Sequence, residues 1–109
     1  MSEIIPTPRE KRTEKYWKEV NKVIDPEMGL GLVDIGLIYN IDIDKNGLAT
    51  VIMTLTSPGC PVGPQLIQQV EERMRRYEGV KRVDVQITWE PMWHQEMIDP
   101  DIRDMLFGI

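Results

Sequence analysis

The chain predicts a two-layer α+β domain, with a mixed sheet and its helices on one face. Three observations carry this. Three segments alternate apolar and polar residues with the period of two that marks a half-buried strand. Two longer segments repeat apolar residues at helical spacing. One of those helices stands between the second and third strands, which makes the last strand parallel to a hairpin strand through a right-handed crossover. The order is helix, strand, strand, helix, strand and a short C-terminal helix, in one domain over residues 1–109.

The first helix is predicted to open at Thr7-Pro8-Arg9-Glu10, read as a capping box with Thr7 as N-cap and Pro8 at the first helical position. Its apolar stripe, Tyr16, Trp17, Val20, Val23 and Ile24, covers only the second half, so residues 1–12 are expected to fray or project. Pro26 ends it, because a residue before proline is pushed out of the α region. Leu37, Tyr39, Ile41 and Ile43 then alternate with Ile38, Asn40, Asp42 and Asp44. Asp44-Lys45-Asn46-Gly47 is the hairpin turn, and Ala49, Val51, Met53 and Leu55 line the return strand. The second helix runs from Pro61 or Pro64 to Tyr77, with Leu66, Val70 and Met74 on its apolar stripe and Gly79 placed as C-terminal cap. Val83, Val85, Ile87 and Trp89 form one face of the third strand, which assigns Trp89 to the core. The tail turns at Pro91, and Asp99-Pro100-Asp101 opens a last helix that stops at Gly108.

Composition narrows the function. A net charge of −5, with the two basic clusters, Arg9 to Lys15 and Arg73 to Arg76, interleaved with glutamates, argues against a nucleic-acid partner. The first residues lack the long apolar run of a signal peptide, and no stretch is built to span a bilayer, so a cytoplasmic location without a membrane partner is expected. One cysteine cannot form an internal disulfide, which suits a reducing compartment.

That cysteine is the leading chemical candidate. Cys60 lies in Thr56-Ser57-Pro58-Gly59-Cys60-Pro61, between a strand and a helix. Pro58 and Pro61 stiffen the turn, and Gly59 lets the backbone approach a ligand closely. A thiol near the positive end of a helix loses its proton more readily than a free one, which makes it a nucleophile or metal ligand. The bland alternative is a small core residue. A permanent metal site inside one chain is disfavoured, because clusters and zinc ask for several thiolates or histidines and this chain has one of each. Cysteine-based thiol transfer needs a base, and nothing in the sequence orients the single histidine, His94. Asp25-Pro26-Glu27 reads either as a solvated acidic helix exit or as a rigid carboxylate pair able to help bind a metal. Met92 and Trp93, on a proline-fixed loop, read as a partner-binding surface, with Trp93 as a lid on the core the alternative.

Asp25-Pro26-Glu27, Gly36-Leu37-Ile38-Tyr39, the Cys60 turn and Trp89-Glu90-Pro91-Met92-Trp93 occur in the order and approximate spacing of the PaaD/SufT-like family, once called domain of unknown function fifty-nine. The chain resembles that family over residues 13–107. The resemblance implies an iron–sulfur cluster assembly fold and an accessory factor that delivers or inserts clusters into client apo-proteins. It further implies a scaffold or carrier as donor, a homodimer, and no permanent cofactor beyond a transient iron–sulfur cluster. Cys60 is the implied reactive thiolate, with Asp25 and Glu27 at the cluster contact and Thr56, Pro58, Gly59 and Pro61 shaping the turn. A non-catalytic adaptor between donor and client, or an accessory role in phenylacetate degradation, are the alternatives, and the cysteine-rich C-terminal region of the phenylacetate proteins is absent here.

Overall fold

In a computed structural model, which describes residues 4–107, the centre is a three-stranded sheet of β3 (Ile38–Ile43), β4 (Leu48–Met53) and β5 (Arg82–Ile87), in that order. β3 and β4 are antiparallel, β4 and β5 parallel. The expected hairpin turn closes on Asp44, whose Oδ1 accepts the N–H groups of Asn46 (2.8 Å) and Leu48 (3.0 Å). Gly47 takes a φ of +86° there, a backbone state that side chains other than glycine's disfavour.

α2 (Gly63–Arg75) supplies the crossover and lies against β5. Its Leu66, Val70 and Met74 are fully buried against the Ala49, Val51 and Met53 face of β4, in one core. Removing side chains of this size from water contributes about 1.5–3 kcal/mol each. α1 (Lys15–Val20) packs beside α2 and buries Trp17 and Val20. The two-layer α+β architecture and the parallel last strand agree with the sequence reading.

The N-terminal third differs from it. There is no long first helix and no capping box. Arg9–Lys11 makes only a single 3-10 turn, with Pro8 at its cap position and no side-chain cap. Thr7 instead joins the sheet edge: its N–H donates to Tyr39 O (2.9 Å) and its hydroxyl to Asn40 Oδ1. Residues 4–12 therefore lie against the body, further held by an ion pair between Arg9 and Asp99 (3.4 Å). The edge of β3 offered Thr7 a backbone acceptor on Tyr39 and a side-chain acceptor on Asn40, which outcompeted a local cap.

α1 ends at Val20, well before Pro26. Ile24–Asp25 forms a short strand, β1, antiparallel to β2 (Leu30–Gly31). Gly31 is needed there, because a Cβ would collide with the backbone and side-chain oxygens of Asn21. A register shift between Ile38 and Asn40 interrupts the alternation of β3, and consecutive Leu37, Ile38 and Tyr39 are all buried. α2 is capped by Arg76 rather than Gly79, which takes φ +89° in the turn leading to β5.

The C-terminal segment passes through a cis Glu90–Pro91 peptide, a 3-10 turn at Gln95–Met97 and α3 (Pro100–Phe107). The expected stop at Gly108 lies outside the described residues. Trp89 is not in the core; it follows the end of β5 and is 39% exposed. β5 is an edge strand, and even its inward residues are only half-buried, so the face that Trp89 continues has no deep interior to enter.

Candidate functional site

Cys60 occupies the expected position between β4 and α2, two residues ahead of the α2 N-cap, Val62. Its N–H donates to Ser57 O (3.2 Å) and its carbonyl accepts from Gly63 N–H (3.2 Å), so the turn is built on both sides of the thiol by its own backbone. Gly63 lets α2 start close to the end of β4: a Cβ there would stand 2.8 Å from Leu55 Cδ1. Cys60 is half-buried and packs against the core, while Ser57, Pro58, Gly59 and Pro61 are exposed and Thr56 is half-buried. The thiol is thus held on a defined turn with a solvent-facing rim. Among the described residues no side chain caps α2; its first N–H, on Gly63, is taken by Cys60 O, and Pro64 has none to offer.

Asp25 and Glu27 behave differently from one another. Asp25 is buried, and its Oδ1 accepts the N–H groups of Glu27 (2.7 Å) and Met28 (3.4 Å), while its carbonyl accepts Gly29 N–H (2.7 Å). This carboxylate folds the β1–β2 turn around itself. Glu27 is exposed, and its carboxylate reaches solvent. Among the described residues, no three His, Cys, Asp or Glu side chains converge to hold a metal ion. Cys60, Asp25 and Glu27 do not form a ready three-donor site.

Trp93, in the segment after β5, is half-buried, packs on the core and donates from Nε1 to Ile35 O, in the loop before β3, at 2.7 Å. Its indole serves as an internal anchor, and the exposed apolar groups nearby in sequence are Met92 and Trp89. His94 is exposed, with Nδ1 3.9 Å from Glu96 Oε1. The sequence reading singled out Trp93 but not its acceptor, which lies 58 residues earlier. Of the surface concavities, a cleft of about 180 Å³ lies between the N-terminal segment and α1, and Cys60 does not line it. No helix among the described residues is long and apolar enough to cross a membrane.

Residues 19–87 match the family described as iron–sulfur cluster assembly protein. The chain belongs to that family. The iron–sulfur maturation auxiliary factor SufT of Staphylococcus aureus is 45% identical over 76 residues, covering 70% of this chain and 86% of the relative. The maturation auxiliary factor YitW of Bacillus subtilis is 39% identical over 77 residues, covering 71% and 76%. The fold also matches the crystal structure of a domain of unknown function, DUF59, from Bacillus anthracis. There the TM-score is 0.79 at 32% identity, over 87% of this chain and 90% of that one. Within the span matched to the iron–sulfur assembly family lie Asp25, Glu27 and the whole Cys60 turn; Met92 and Trp93 fall outside it.

Proposed function

We propose that this protein is an accessory factor in iron–sulfur cluster assembly that helps deliver clusters to client apo-proteins, with Cys60 as the contacting thiolate. The observation that carries the reading is the presence of the chain's one thiol, on a built and partly open turn, inside the family-matched span. An iron–sulfur cluster here is cargo. Four thiolates are the usual complement for such a cluster, and this chain offers one. Cys60 therefore fits a passing contact in which the donor, the client or a second copy of the chain supplies the other ligands. A client thiolate that replaces Cys60 at iron returns the thiolate unchanged, so the exchange needs no net oxidation. Glu27, exposed beside a turn that Asp25 holds in shape, is the carboxylate available to assist. Homodimerisation would bring two Cys60 thiolates to one cargo.

The test is anaerobic reconstitution with iron and sulfide, following visible absorption and the rate of transfer to an apo-client. Cys60→Ala is expected to lower transfer at least tenfold while leaving the fold intact. Transfer equal to the parent's would sink the direct-contact role. A second reading, an adaptor that never touches the cluster, draws on Met92, which is 74% exposed, and on Trp89 beside it in the chain. It expects Met92→Ala with Trp89→Ala to abolish donor and client capture while Cys60→Ala leaves capture unchanged.

A further inference from the structure

The cleft between the N-terminal segment and α1 has no part in the reading above, and it is assembled around Arg12. The guanidinium donates from Nε to Thr7 O (3.0 Å) and lies over the Trp17 ring, with Cζ 5.0 Å from the centroid. Both contacts fix its plane. Among the described residues, its two Nη groups have no hydrogen-bond or ion-pair partner, although the side chain is half-buried. Burial, and then the charge of Arg9, hold the Arg12 pKa below its ordinary value, with Asp99 pulling the other way. A half-buried cation with an unused planar fork is the donor pattern that matches a carboxylate bidentately.

The rest of the lining sets how much negative charge fits. Arg9, Arg12 and Lys18 face Asp34 and Asp99, so three cations and two carboxylates leave one net positive charge. Trp17 and Val33 supply an apolar wall. A monoanion neutralises this lining, whereas a phosphate dianion would overshoot it beside two carboxylates. No residue of the Cys60 turn lines this cleft, and Arg9, Arg12, Trp17, Lys18 and Asp99 lie outside the family-matched residues 19–87.

We propose that the cleft binds a monoanionic carboxylate, held by the Nη fork of Arg12 against the Trp17 wall. The carboxylate belongs either to a small free acid or to a chain end. The test titrates the parent protein with acetate, N-acetylglycine and inorganic phosphate, following the Arg12 Nε–H and Trp17 indole N–H resonances. Saturable shifts with a carboxylate, and weaker binding of phosphate, are expected; tighter binding of N-acetylglycine than acetate assigns a chain end, and the reverse a free acid. Arg12→Lys, which keeps the charge and loses the fork, is expected to weaken binding at least tenfold with the amide spectrum otherwise unchanged. Asp34→Asn leaves the Arg12 contacts alone, and is expected to improve phosphate relative to acetate at least threefold. No saturable shift with either carboxylate, phosphate binding more tightly than both, or an unchanged phosphate-to-acetate ratio in Asp34→Asn would overturn the proposal.

Discussion

Asp25 shows how a residue type fixes a chemical option without fixing its use. A buried carboxylate that already accepts two backbone N–H groups spends acceptor capacity on its own turn. Asp25→Ala strands the Glu27 and Met28 N–H groups, and is expected to cost about 1–3 kcal/mol in urea unfolding. Asp25→Asn keeps an acceptor oxygen and should lose less than half as much. If both variants unfolded like the parent and only cluster transfer fell, Asp25 would be a ligand and not a turn builder. Cys60 stands at the other pole: among the described residues its side chain makes no hydrogen bond, and its removal should register in transfer rather than in stability. The alternation of the strands and the position of this thiol were legible because both depend on near neighbours in the chain. The split between Asp25 and Glu27 was not, since burial is set by what packs over a turn.

At the scale of elements, the C-terminal segment depends on contacts that span about half the sequence. Trp93 Nε1–H to Ile35 O, Asp99 N–H to Asp34 O (2.7 Å) and Tyr39 O–H to Pro91 O (2.6 Å) join it to the β2–β3 loop and to β3. Gly36, at φ +83° and pressed on the Met97 backbone, leaves room for that segment. Trp93→Phe keeps most of the apolar packing and deletes one donor, so about 1 kcal/mol of stability should be lost. Faster exchange of the Asp99 amide should accompany it; unchanged exchange would mean that the indole bond does not hold the segment. The first helix failed as a local prediction for a related reason. Thr7 had the residue type of an N-cap, but its partners came from a strand 32 residues away. The second helix succeeded because its apolar stripe and the sheet face agreed.

Across the whole molecule, a radius of gyration of 13.6 Å sits close to the roughly 13 Å expected of a compact chain of this length. Compactness also ties stability to pH. Burial raises the pKa of both Tyr16 and Tyr39, with Glu14 and Asp42 adding to the effect at Tyr16. The folded state thus holds these phenol protons more tightly than the unfolded chain does. Their contribution is fully present below about pH 10, the unfolded value, and is lost as pH rises through the folded values. Unfolding free energy is therefore expected to fall on the alkaline side, and Tyr39→Phe should make that decline shallower while costing stability at neutral pH through the lost Pro91 bond. A decline of the same slope in Tyr39→Phe would assign it to other groups.

The sequence alone determined the α+β class, the hairpin, the parallel crossover and the placement of one thiol on a stiff turn ahead of α2. Each follows from periodicity or turn chemistry acting over a few residues. Only the tertiary structure decided that Thr7 extends a sheet edge, that Trp93 is an anchor while Trp89 is exposed, and that Arg12 presents an unused fork over Trp17. Those outcomes depend on which distant backbone groups and side chains are brought within reach, and no local pattern encodes that proximity.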